Sequence, residues 1–215
     1  MKALTSICLI SFLIACGSKK KVEEISLPYY HDETFTAYWP EEGNISLDTL
    51  HRIPAFKFIN QDGKVIGNEE FDGGIYVANF FFTSCPTVCP KMEANLSFIQ
   101  DEFMSDDRVK LISHSVMPWA DSVARLQDYA EMNDVRSGKW HLVTGEKEEL
   151  YKMGRLAYFA DEGFGKGLTA LDDFLHTENI ILVDQKRRIR GIYNGTLRLE
   201  MKRLASDIQL LLKES

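Results

Sequence analysis

Downstream of Ile53, apolar and polar positions switch repeatedly between a period of two and a period near 3.6. Ile53–Phe58 reads as a short strand, Asn60-Gln61-Asp62-Gly63 as a turn, and Lys64–Ile66 as the returning strand of a hairpin. Ile75–Phe82 is apolar almost without a break, the pattern of a central strand covered on both faces. Met92, Leu96, Ile99 and Phe103 then recur at spacings of four, three and four, which predicts a helix between Pro90 and Phe103. Val109–Val116 is strand-like, Ser122–Met132 is helical with Ser122 placed to cap it, and Trp140–Val143 is a short strand. Lys147–Arg155 reads as a helix, Tyr158–Asp173 as a loop carrying glycines, and Asn179–Asp184 with Ile189–Tyr193 as a hairpin across Gln185-Lys186-Arg187. An amphipathic helix over Leu199–Leu212 closes the chain. The order β-β-β-α-β-α-β-α-β-β-α predicts a three-layer α/β domain with a mixed central sheet, spanning residues 51–215.

The first 50 residues follow neither period. In MKALTSICLISFLIAC, Lys2 is followed by an apolar run from Ala3 to Ala15, short of the roughly 20 residues that span a bilayer. Its end, Leu13-Ile14-Ala15-Cys16, resembles the lipobox of bacterial lipoproteins. That resemblance implies removal of residues 1–15 and lipidation of Cys16, leaving the chain membrane-anchored at the cell envelope and facing the periplasm or exterior. Residues 17–27 are polar and charged and read as a tether, whereas Thr34–Trp39 is aromatic enough to be expected to dock as an edge strand.

Composition adds exclusions. A formal charge of −7 argues against a nucleic-acid partner, which calls for a basic face. The length suits one domain plus extensions, and a tethered monomer needs no further assumption. Of the four cysteines, Cys8 leaves with the signal and Cys16 takes the lipid. Cys85 and Cys89 remain, in a compartment where paired thiols form a disulfide or a metal site. A structural bridge closing so short a loop adds little, so chemistry is the stronger explanation.

The pair lies in Asn79-Phe-Phe-Phe-Thr-Ser-Cys-Pro-Thr-Val-Cys-Pro-Lys-Met92, after a predicted central strand and before a predicted helix. Ligand chemistry in open α/β sheets sits at that edge. If the segment is helical, the i, i+4 thiols share one face about 5–6 Å apart at Cβ, near a helix start that lowers thiol pKa and with Pro86 suited to the first turn. Three intervening residues differ from the CxxC of thiol oxidoreductases and favour a chelate. Two thiolates suit Cu(I), and an imidazole would extend the set to trigonal Cu(I) or tetragonal Cu(II). His31, His51 and His141 read as surface or core residues, while His114 at a strand end and His176 at a loop end are the candidates to face the site. Met117 is a candidate thioether.

The segments NFFFTSCPTVCPKM, HLVTGEKEELYKM and HTENIILVDQKRRIRGIYNG together resemble the Sco/SenC family over roughly residues 51–212. The resemblance implies a thioredoxin-like fold and copper held by Cys85, Cys89 and His176. It also implies a task in assembling the binuclear copper centre of cytochrome c oxidase subunit II, by delivering copper or by reducing that subunit's cysteines. Two positions depart from the family's habit: Met117 stands where an acidic residue is common, and Leu175 where Asp often precedes the histidine. Alternatives that use the same cysteines without metal are a thiol–disulfide oxidoreductase, whose Cys85–Cys89 pair is a redox-active disulfide, and a redox or copper sensor.

Overall fold

The computed structural model describes residues 26–40, 46–160 and 177–214. Among the described residues seven strands and four α-helices follow the predicted order: β1 (Lys57–Asn60), β2 (Val65–Gly67), β3 (Ile75–Phe81), α1 (Cys89–Glu102), β4 (Val109–Ser115), α2 (Val123–Met132), β5 (Trp140–Thr144), α3 (Lys147–Lys152), β6 (Asn179–Val183), β7 (Ile189–Asn194) and α4 (Arg198–Leu211). One mixed sheet holds all seven strands in the order β2-β1-β5-β4-β3-β6-β7. β3, β4 and β5 run parallel, and the pairings on either side of that trio are antiparallel.

Every residue of β3 is buried because helices or coil cover both of its faces. Ile75, Val77 and Phe81 meet Met92 and Ile99 of α1, Leu126 of α2 and Met201 and Ile208 of α4. Tyr76, Ala78 and Phe80 turn to the opposite face, against Tyr151 of α3 and Tyr158. The result is the three-layer, thioredoxin-like α/β arrangement expected from the alternation of periods.

Three local differences have physical causes. The first strand begins at Lys57 rather than Ile53. Ile53 is buried but donates its N–H to Arg187 O (2.8 Å), and Phe56 donates to Asn68 Oδ1 (2.8 Å), so both serve the core outside the sheet ladder. The helix from Lys147 widens into a π-helical turn over Met153–Ala157. The N-terminal segment docks through different residues: Tyr30 bridges Ile189 of β7, while Tyr38 pairs back onto Tyr29 and Thr34–Trp39 forms no edge strand. Residues 1–25 and 161–176, which include Cys16 and His176, lie outside the described residues.

Candidate metal centre

β3 carries the chain to the C-terminal edge of the sheet, where Phe81 pairs with Ser115 and accepts a hydrogen bond from Val116 N (2.9 Å). A turn follows in which Cys85 N donates to Phe82 O (3.2 Å). The chain then winds into α1, whose first residue is Cys89 and whose first turn holds Pro90, a position where a missing N–H costs nothing. Cys85 thus sits outside the helix, and Pro90 rather than Pro86 occupies its first turn. Val88, the N-cap residue, supplies no side-chain cap; Cys89 N instead points at Cys85 Sγ (3.4 Å).

This placement divides the thiols. Burial raises the Cys85 pKa, but the N–H groups of Cys89, Thr87 and Val88 and the Cys89 thiol aim at its sulfur, and the net shift is downward. At Cys89 burial wins: its thiol is pushed up to about 12, with Cys85 and Glu93 adding to the rise against a hydrogen bond from Phe82. The expectation that a helix start lowers both pKa values therefore holds for Cys85 alone. One turn beyond Cys89, Glu93 accepts the hydroxyl proton of Tyr129 from α2 in a hydrogen bond, and burial pushes its carboxyl up to about 7.

An open groove of about 320 Å³ runs over the pair and is lined also by Phe82 and Val116. Cys85, Cys89, Thr177 and Glu178 all line it. Those last two residues directly follow His176 in the chain. They are held at the entry to β6: Gly195 N donates to Glu178 O (2.7 Å) and Asn194 Nδ2 to Glu178 Oε2 (2.9 Å).

The other histidines are engaged elsewhere. His114 is fully buried on the face opposite the thiols, 5.1 Å from the Phe80 ring and 5.3 Å from Tyr158, and burial pushes its pKa down to about 4. His141 lies between Asn60 and Glu70, with its pKa lowered by burial. His51 Nε2 bonds Ala157 O (2.7 Å), and His31 lies 3.7 Å from Asp32. Among the described residues no group of three or more His, Cys, Asp or Glu could hold a metal ion. Two thiols of this kind fit a soft ion such as Cu(I).

Sequence reading missed two groups beside the pair. Glu93 was legible as the residue four beyond Cys89 on a predicted helix. Asp121 carried no local signal, because its partners Thr83 and Ser115 come from the ends of two strands.

A mixed sheet layered between helices, with paired cysteines where a central parallel strand meets a helix, defines a thioredoxin-like thiol protein. A profile of the SCO1/SenC family matches residues 46–213, and the chain belongs to that family. A curated relative, the SCO1 protein homolog of Bacillus subtilis, is 27% identical over 97% of this chain and 95% of its own length. A SCO1/SenC family lipoprotein from Bacillus anthracis superposes with a TM-score of 0.65 at 27% identity, over 75% of this chain and 95% of that one. BsSco, described as carrying a disulfide switch and as a member of the Sco family of cytochrome c oxidase assembly proteins, gives 0.65 at 26%, over 77% and 95%. Among the described residues no helix is long and apolar enough to cross a membrane.

Proposed function

We propose that this chain is a copper carrier that holds one copper ion through Cys85, Cys89 and His176. It delivers the ion to an apo acceptor of the kind found in cytochrome c oxidase subunit II. The observation that carries the proposal is the shared groove: Thr177, bonded directly to His176, lines the same wall system as both thiols. Solved relatives such as ScoI of Bradyrhizobium japonicum carry copper. In transfer, an acceptor thiolate bonds the ion before a bond to Cys85 breaks, so the ion never loses all its sulfur ligands. Cys85 is suited to lead because it is the more exposed sulfur and the more readily ionised. Lipidation at Cys16, after loss of residues 1–15, anchors the domain at the membrane through the tether of residues 16–50.

The test is titration of the chain with copper, followed by absorption spectroscopy. One equivalent binds with thiolate-to-Cu(II) charge transfer. Cys85→Ser with Cys89→Ser abolishes binding, and His176→Ala weakens it. Parent-like binding by the double serine variant would overturn the assignment. A mass shift on the Cys16 peptide tests the lipid separately.

The split between the thiols favours a second reading, thiol–disulfide exchange. Cys85 as thiolate attacks an acceptor disulfide and releases one acceptor sulfur, and Cys89 then resolves the mixed disulfide, leaving a Cys85–Cys89 bridge. In that case His176→Ala keeps full activity.

A further inference from the structure

Asp121 precedes the cap of α2 and is fully enclosed. Its carboxylate accepts three hydrogen bonds: from Thr83 N (3.3 Å), from the Thr83 hydroxyl (2.6 Å) and from the Ser115 hydroxyl (2.6 Å). A carboxylate removed from water calls for donors on its oxygens and a cation nearby. Arg125 is that cation: its Nε lies 3.9 Å from Asp121 Oδ1 and donates to Thr83 Oγ1 (2.6 Å). The Thr83 hydroxyl therefore donates to the acid while accepting from the arginine, which leaves it a single orientation.

Both donor residues stand where the thiol site leaves the sheet. Ser115 ends β4 as the register partner of Phe81, and its oxygen also accepts from Met117 N (3.1 Å). Thr83 is the second residue after β3 and lies inside the turn closed by Cys85 N and Phe82 O. Asp121 thus ties the exit of β3 to the exit of β4 two residues before the reactive sulfur. A slack turn there would let Cys85 Sγ drift from the N–H of Cys89 at the start of α1.

We infer that Asp121 is a positioning residue for the copper site: by gripping Thr83 it fixes the turn that aims the Cys85 sulfur, while touching neither thiol nor metal. Its effect on copper rests on the ligand assignment proposed above, whereas its effect on the dithiol does not.

The experiment uses the full chain and three variants. Asp121→Asn keeps the shape and removes the charge. Thr83→Val keeps the volume and the main-chain N–H but loses the hydroxyl, and Thr83→Ser restores it. Two quantities are read beside the unfolding temperature. One is Cu(I) affinity in competition with a chromophoric chelator. The other is the equilibrium in which the two thiols and glutathione disulfide give the Cys85–Cys89 bridge and two glutathiones. Asp121→Asn and Thr83→Val should bind Cu(I) about 10- to 100-fold more weakly. Their disulfide should form several-fold more favourably, because the reduced form loses thiolate stabilisation. Thr83→Ser should stay at the parent's values. If Asp121→Asn and Thr83→Val keep both parental values and lose only thermal stability, Asp121 is a strut and the inference fails. Should Asp121→Asn not fold, the Thr83 pair decides. Should the parent itself bind no Cu(I), the copper proposal fails, and the disulfide equilibrium still decides the role of Asp121.

Discussion

At neutral pH a thiol reacts in proportion to its thiolate fraction and its access to solvent. Cys85 is partly exposed with a lowered pKa, whereas Cys89 is buried with a pKa near 12. Brief iodoacetamide treatment of the reduced chain at pH 7 should therefore label Cys85 more than tenfold faster than Cys89, read by peptide mass spectrometry. Equal labelling would mean that the N–H groups around Cys85 do not hold its anion. Buried His114 sets a second expectation. Its folded pKa near 4 lies below the ordinary 6.5, so the unfolded chain binds the extra proton and stability falls as pH drops through that window. The loss is on the order of 3 kcal/mol between pH 6.5 and 4, and His141, also lowered, acts in the same direction. Glu93 opposes both: raised to about 7 from 4.5, it makes the folded state the better proton binder, and stability declines as pH rises from about 4.5 to 7. Urea unfolding of Glu93→Gln should thus show the histidine-driven rise from pH 4 to 6.5 more steeply than the parent. Parallel curves for the two would remove Glu93 from the account.

Among the elements, α2 starts where Asp121 ends its work. Ser122 caps it by accepting from Arg125 N (3.3 Å), and Ser122→Ala should cost about 1 kcal/mol in urea unfolding while leaving the Cys85–Cys89 disulfide equilibrium unchanged. A shift in that equilibrium would mean that helix fraying, not the Asp121 contact, governs the thiols. Elements of this kind were legible because their information is local. The run Ile75–Phe82 announces β3, the stripe from Met92 to Phe103 announces α1, and Ser122 stands at the cap position that its hydrogen bond from Arg125 N fills. Apolar pattern reports burial rather than the partner of the backbone, which is why Ile53–Phe58 reads as strand though the ladder begins only at Lys57. The cysteine pair was legible from spacing, but its chemical asymmetry was not. That asymmetry depends on where α1 begins, and a one-turn shift moves Cys85 out of the helix. The hold of Asp121 on Thr83 joins residues 38 apart in the chain and leaves no periodic trace.

On the scale of the whole molecule, the chain enters the domain at the pole opposite the thiols. β3 begins there at Ile75 and ends at Phe81 near Cys85, seven residues that separate the poles by about 20 Å. At the entry pole Arg190 donates to the carbonyls of Leu27 (2.8 Å) and Pro28 (3.1 Å). Its guanidinium pairs with Glu214 (2.8 Å) and lies 4.1 Å from the Tyr29 ring centroid. With Cys16 lipidated as proposed, at most about 40 Å of extended chain separates the lipid from Leu27. Arg190→Ala removes the two carbonyl contacts and the ion pairs to Glu214 and Asp184 together, while Asp184 keeps Arg188 at 2.7 Å. The variant should lose on the order of 3 kcal/mol of stability. Chymotrypsin, which cleaves after aromatic residues, should cut at Tyr29 and Tyr30 of the folded variant well before it cuts the parent. Cu(I) affinity should not change, because the clamp and the thiols lie at opposite ends of β3. Equal cleavage of variant and parent would show that the segment is held by other contacts, and a fall in copper affinity would show that the two poles are coupled through the sheet.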